Sequence, residues 1–168
     1  RRTRRSFAPE PLPLSVLSTL LFHANGITHR TTDQRGRARS FRAAPSAGAL
    51  YPGELYLALH RVEGIEPCLV HYRPSDHSLE VLREGDPAAE LSDAVLYPAE
   101  LASCAVSVVF SAVHRRTRLK YGPRGYRYAL LDVGHLAQNL CLSGHSLHIY
   151  RYVVQTIQEE FLYYTLDI

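Results

Sequence analysis

The stretch Pro45-Ser46-Ala47-Gly48-Ala49-Leu50-Tyr51-Pro52, running on into Gly53-Glu54-Leu55-Tyr56, decides the fold. Its first half is a loop of small residues bracketed by prolines. With no bulky side chains in the way, its backbone N–H groups can approach the edge of a ligand. The second half opens the alternating, β-forming segment Glu54-Leu-Tyr-Leu-Ala-Leu-His60, which predicts a strand. On local sequence alone the loop is equally an ordinary turn leading into that strand.

Outward from this centre, residues 14–24 carry Leu14, Leu17, Leu20, Leu21 and Ala24 at helical spacing. Asn25-Gly26 is expected to stop that helix in a left-handed conformation. Residues 28–44 are polar and basic without a sustained period and read as a loop. Towards the C-terminus, residues 68–72 and 78–82 predict two strands joined through Pro74-Ser75-Asp76-His77 as a hairpin. Residues 87–99 read as a helix with proline near its first turn. The continuous apolar, β-branched run 102–113 predicts a central buried strand. Over residues 126–147 the spacing of Leu130, Val133, Gly134, Ala137, Leu140, Cys141, Gly144 and Leu147 predicts a long buried helix. Residues 161–168 predict a last strand. Helices and strands do not strictly alternate, which favours an α+β fold in a single domain over residues 1–168.

The 168 residues are 46% hydrophobic and 21% charged, values of a globular chain that can bury a core. No run reaches the roughly 18 apolar residues of a membrane span, and no hydrophobic signal core follows the first arginines. The three cysteines, Cys68, Cys104 and Cys141, have neither metal-ligand nor disulfide-framework spacing. Apolar neighbours make Cys104 and Cys141 expected core residues, and a reducing, cytoplasmic setting is the simplest inference. The histidines share no metal-type spacing, so no metal is expected. A net charge of +3 does not imply nucleic acid. Arginines nevertheless gather at residues 1–5, 30–42 and 115–127, where a phosphate-bearing cofactor, an acidic partner or plain solvent would each suit them. They are not interleaved with aromatic residues for base stacking, which argues against nucleic acid.

Three further stretches carry chemistry. Arg1-Arg2-Thr3-Arg4-Arg5-Ser6-Phe7 offers forked guanidinium donors and a hydroxyl suited to phosphate oxygens, or else a solvated terminus. Lys120-Tyr121 lies between the central strand and the long helix, among Arg115, Arg116, Arg118, Arg124 and Arg127. Like charges there would depress the lysine pKa, and a lysine with a neighbouring tyrosine can take and relay a proton. The alternative is a basic connector turning at Gly122-Pro123. Gly134-His135-x-x-Gln138-Asn139 places polar groups on the long helix, where they need hydrogen-bond partners, from an interhelical network or from substrate.

Taken in order, these motifs resemble the flavin-dependent nitroreductase superfamily, and within it the streptolysin-type azoline dehydrogenases. The opening resembles the family's Arg-Arg-Ser-x-Arg-x-Phe. The string Pro-Ser-Ala-Gly-Ala-Leu-Tyr-Pro-x-Glu-Leu-Tyr, the Lys-Tyr pair and Gly-His-x-x-Gln-Asn are similar to that branch. The resemblance implies a nitroreductase-like α+β fold, a mixed or antiparallel central sheet flanked by helices, and a homodimer with a flavin between its subunits. It implies flavin mononucleotide (FMN) held by Arg1, Arg2, Thr3 and Arg5 at the phosphate side and by Pro45, Ser46, Ala47 and Gly48 at the ring. Lys120 and Tyr121 would be the catalytic pair. The implied reaction oxidises thiazoline or oxazoline to thiazole or oxazole in a ribosomal peptide, with a cyclase as possible partner. An NAD(P)H-dependent nitro- or quinone reductase acting on small molecules, and a non-catalytic scaffold of the same fold, remain as alternatives. The resemblance lapses after Leu147, where Leu147-His148-Ile149-Tyr150-Arg151-Tyr152 replaces the family's Gly-Leu-Gly turn, and returns over residues 159–164.

Overall fold

The structure is a computed structural model that describes residues 6–94, 101, 103–149 and 153–157. Its centre is a five-stranded sheet of order β5-β4-β3-β6-β7. The strands are β3 (Gly53–Leu59), β4 (Cys68–Arg73), β5 (Ser78–Glu84), β6 (Val106–Ala112) and β7 (Val153–Ile157). Neighbours run antiparallel except β6 and β7, which are parallel, so the sheet is mixed. The helices are α1 (Leu14–Asn25), α2 (Ala88–Ala94), α3 (His114–Tyr121) and α4 (Gly125–Ser146). This is the expected α+β arrangement.

β3 and β6 are covered on both faces, which is why they read as nearly unbroken apolar runs. On one face Leu55, Leu57, Val106, Val108 and Phe110 meet Leu17, Leu20 and Leu21 of α1 and Leu136 and Leu140 of α4. On the other, Ala58 and Val109 pack with Leu69, Leu91 and Leu101. Burying a leucine-sized side chain contributes about 1.5–3 kcal/mol, so the two-sided burial of these strands anchors the fold.

Several expectations need correction. Residues 28–44 are not a loop: β1 (Ile27–Thr32) and β2 (Ala38–Arg42) form a two-stranded antiparallel hairpin. Its turn is closed by the Asp33 carboxylate, which accepts the N–H groups of Arg35 (2.9 Å) and Arg37 (3.0 Å), with Gly36 at φ 74°. Nearly all of the hairpin is exposed, so no apolar period marked it. Gly26 does end α1, but in extended geometry (φ −65°, ψ 155°) and not left-handed. It is needed for space: a Cβ there would lie 2.6 Å from both Phe22 Cδ2 and the Phe22 carbonyl oxygen. On α4 the buried positions are Gly125, Ala129, Asp132, Leu136 and Leu140, a face rotated from the predicted stripe. Leu130 is exposed, and so is Cys141, which is therefore not a core residue. β7 falls in the segment where the resemblance lapsed and was not expected as a strand. The predicted strand 161–168, and the predicted helix beyond Ala94 as far as residue 99, lie outside the described residues.

Two outcomes follow for stability. Gly26→Ala should lower the unfolding free energy by about 1–3 kcal/mol in urea titration, because backbone atoms bound the missing volume. Tyr72, 1% exposed, is hydrogen-bonded to His77 Nδ1 (2.8 Å), which reaches Ser18 Oγ (2.8 Å) on α1 through Nε2. Burial, opposed by the Arg42 charge, pushes the Tyr72 phenol up to about 12. The unfolded phenol ionises near 10, so the contribution of Tyr72 is complete below pH ~10 and is lost as pH rises towards 12. Stability measured across that window should fall by up to about 1.4 kcal/mol per pH unit, and Tyr72→Phe should flatten the slope.

Candidate active site

The loop that opened the sequence reading has a demanding backbone. After Ser46 a 3-10 turn spans Ala47–Ala49, with Gly48 at φ 65°, Ala49 at 54° and Tyr51 at 45°. For residues bearing a Cβ such angles are costly and persist only where surroundings impose them. Here the imposing group is Asp132, buried on α4. The Ser46 hydroxyl donates to Asp132 Oδ2 (2.5 Å), and the Ala47 N–H is shared between both carboxylate oxygens (3.2 Å each). Ser46 Oγ also accepts the Tyr51 N–H (2.8 Å), while the Ala49 N–H reaches the Ser46 carbonyl (3.1 Å). Asp132 was not singled out from sequence. Its signal was positional: Ala129, Asp132, Leu136 and Leu140 share one helical face, so a carboxylate stood on the buried side.

Tyr51 ties the loop to the hairpin. Its hydroxyl accepts the Arg42 backbone N–H (3.0 Å), and its ring lies 4.9 Å from the Arg42 guanidinium. Burial draws the Arg42 guanidinium below its ordinary range, and the nearby Glu54 charge opposes this. Between the hairpin and the loop lies a cleft of about 660 Å³ that Arg39, Phe41, Arg42, Ser46, Gly48 and Tyr51 help to line. Pro45 also lines it; Ala47 does not.

α3 brings the second half of the site. Val113, which precedes it, donates its N–H to the Pro52 carbonyl (2.8 Å). Arg116, in the first turn, donates to the Tyr51 carbonyl (2.7 Å) and forms an ion pair with Glu54. Glu54 is 7% exposed and also meets His71 Nε2 (3.0 Å). Arg116, one of the guanidiniums grouped with Lys120 by sequence, is thus turned to Glu54. At the far end of α3, Lys120 and Tyr121 converge on Gly48. A Cβ at Gly48 would stand 2.5 Å from Lys120 Nζ and 2.6 Å from Tyr121 OH. Lys120 Nζ lies 5.2 Å from the Tyr121 ring centre, and that ring meets Tyr128 edge-on at 4.8 Å. Gly125 permits the tight α3–α4 junction, since a Cβ there would be 2.7 Å from Thr117 and Arg118 backbone atoms.

The structure therefore unites Ser46 and Gly48 with Lys120 and Tyr121, placing an amine and a phenol beside a small-residue loop. Such a pair can take or give a proton at that spot. Arg1, Arg2, Thr3 and Arg5 lie outside the described residues. His135 does not join a buried network: it is exposed, and its Nδ1 bonds the Leu131 carbonyl of its own helix (2.7 Å). Gln138 is exposed as well. Among the described residues no group of His, Cys, Asp and Glu side chains is placed to hold a metal ion, and no helix is long and apolar enough to cross a membrane. Glu54→Gln, which removes the charge opposite Arg116, should lower stability by about 1–3 kcal/mol in denaturant titration.

Comparison with known proteins bears on the family and the fold. The chain matches the nitroreductase family over residues 1–157. It is 38% identical over 147 residues to a protein of Methanocaldococcus jannaschii that carries a nitroreductase name, covering 88% of this chain and 70% of that one. A crystal structure from Anabaena variabilis, also named for a nitroreductase, superposes with a TM-score of 0.73 at 37% identity, covering 79% of this chain but 27% of its own. The Escherichia coli microcin synthetase McbBCD complex with truncated pro-MccB17 bound gives a TM-score of 0.67 at 25% identity, over 88% of this chain and 57% of that one. The chain thus spans only part of the two solved structures. With a family match over residues 1–157 and 38% identity to a relative covered over 70% of its length, the chain belongs to the nitroreductase family.

Proposed function

We propose that this nitroreductase-family oxidoreductase depends on FMN and oxidises thiazoline or oxazoline rings in a ribosomally made peptide. The observation that carries the reading is the convergence of Lys120 Nζ and Tyr121 OH on Gly48. The fit to a flat aromatic cofactor rests on the same loop. Pro45, Ser46 and Gly48 face the cleft that would take the ring, while Lys120 Nζ and Tyr121 OH stand directly against Gly48 and do not line that cleft. Arg1, Arg2, Thr3 and Arg5 would hold the phosphate side, and Ala47 would add backbone to the ring side.

Turning an azoline into an azole removes two hydrogens from adjacent ring carbons, one as a proton and one as a hydride. A bound flavin supplies the hydride acceptor. Lys120 Nζ takes the proton, and Tyr121, whose hydroxyl meets the same point of the loop, donates to or relays from it. The peptide substrate draws support from the likeness to the microcin synthetase complex, whose structure includes a truncated pro-peptide. A cyclase partner draws on the same likeness. A homodimer is supported by the uncovered side of α4, where Tyr126, Leu130, Leu131 and Leu142 are all 46–58% exposed.

The purified protein should be yellow and release FMN on denaturation. Lys120→Ala should keep the flavin yet lose ring oxidation by about 10²–10⁴-fold, the usual worth of a general base. Unchanged oxidation in that variant would remove Lys120 from the chemistry. The likeness to the Methanocaldococcus protein favours a second reading, an NAD(P)H-dependent nitro- or quinone reductase. Rapid bleaching of the flavin by NAD(P)H, without oxidation of a heterocyclised peptide, would select it. A colourless protein that takes up no flavin would point to a scaffold of this fold.

A further inference from the structure

Asp132 is a carboxylate at 9% exposure that spends its acceptors on the loop. Its contacts among the described residues are the Ser46 hydroxyl on Oδ2 and the Ala47 N–H on both oxygens. No Lys, Arg or His nitrogen of the described residues forms an ion pair with it. A buried anion answered by neutral donors is expensive to keep, so its presence calls for a task that a neutral side chain cannot perform. That task is visible in the backbone it holds. Ser46, fixed by Asp132, accepts the Tyr51 N–H, and between them Gly48 and Ala49 are bent to positive φ. The bend is what sets Gly48 against Lys120 Nζ and Tyr121 OH.

We propose that Asp132 is the positioning residue of the cofactor loop: its two-oxygen grip keeps Ser46 to Gly48 in the conformation that receives the flavin ring. The proposal rests on the flavin reading above. It also separates charge and shape. Asparagine has the size of aspartate, but in either orientation of its amide the NH2 lies against the Ala47 N–H. Donor then faces donor, and the loop loses part of its hold. A packing role would be satisfied by asparagine; a two-acceptor role would not.

The test compares wild type, Asp132→Asn, Ser46→Ala and the double variant in two measurements. In flavin-free protein, amide hydrogen exchange at Ala47 should quicken at least about tenfold in Asp132→Asn, the scale of one lost bond to a charged group. FMN titration followed by fluorescence quenching should show affinity weakened about tenfold or more in the same variant. The double variant should bind FMN about as weakly as the worse single one, since both residues act through one contact. If Asp132→Asn does not fold, Ser46→Ala carries the test in flavin-free protein: exchange at Ala47 should quicken several-fold as the shared hold loosens, and unchanged exchange there overturns it. Wild-type affinity in a folded Asp132→Asn, with unchanged exchange at Ala47, overturns the role of Asp132 and leaves the flavin reading standing. Wild-type protein that takes up no FMN removes the flavin reading, and this proposal with it.

Discussion

The antiparallel register of β3 and β6 constrains everything that follows it. Gly53 stands opposite Ala112, and the pairing runs through to Leu59 opposite Val106. Because the two strands run in opposite directions, the point where the chain enters β3 lies beside the point where it leaves β6. The loop before one strand and the helix after the other are therefore neighbours, far apart as they are in sequence. Two contacts extend the pairing past the strand ends: Val113 N–H to the Pro52 carbonyl, and Arg116 to the Tyr51 carbonyl. A slip of one residue would send each side chain of a strand to the opposite face. Since both faces of β3 and β6 are filled, with leucines on one side and Tyr56, Ala58 and Val109 on the other, such a slip would leave volumes mismatched everywhere.

The end of the sheet at which loop and helix meet is also where charge enters the interior. Glu54 is the acid at that end, and it takes both Arg116 and His71 as partners. An ion pair with so little exposure on its acid side works only when further donors complete it, and His71 does that while its ring lies tilted against Tyr56 (4.9 Å between ring centres). Arg42, close enough to feel the Glu54 charge, rests instead on the Tyr51 ring and reaches Asn25 Oδ1 at 3.5 Å. Cations thus approach the loop from two sides, Arg42 from the hairpin and Arg116 from α3, and both act on Tyr51. The loop is consequently clamped at its C-terminal end by charge and at its N-terminal end by Asp132.

How much of this was legible follows from where the information lies. β3, β6 and the β4–β5 hairpin were readable because their apolar content is local and dense. The small residues at 45–49 and Lys120-Tyr121 were singled out because a resemblance ran through them, and the structure brings Gly48 of that loop against the pair. The β1–β2 hairpin was not readable, because an exposed pair of strands has no buried face and its turn is set by one side chain, Asp33. The buried face of α4 was misjudged because apolar residues occupy more than one of its sides. Leu130 and Cys141 fall on an exposed side, while the polar Asp132 is buried. Its burial makes sense only once the loop is seen resting on the helix, a tertiary fact that no local period encodes. Gly26 shows the same limit on a smaller scale. Its presence at the helix end was foreseen, but the reason, contact with Phe22, depends on side-chain placement.

The loop's energetics show why its shape belongs to α4 as much as to its own sequence. Left-handed backbone at a residue with a Cβ costs roughly 1–2 kcal/mol, and Ala49 and Tyr51 both adopt it. Against this stand bonds of about 0.5–1.5 kcal/mol between neutral groups, and about 1.5–3 kcal/mol where a charged group accepts. The neutral bonds, Ala49 N–H to Ser46 and Tyr51 N–H to Ser46 Oγ, are of the same size as the strain they must hold. The bonds to Asp132 tip the balance, and they come from a different element. α4 shows Asp132 to the loop and Leu130, Leu131 and Leu142 to solvent, so one helix carries both the loop's anchor and an uncovered apolar surface. A movement of α4 along or about its axis reaches Gly48 by two routes, the Asp132 carboxylate and Tyr128, whose ring meets Tyr121. With it moves the spacing between the loop and the Lys120–Tyr121 pair.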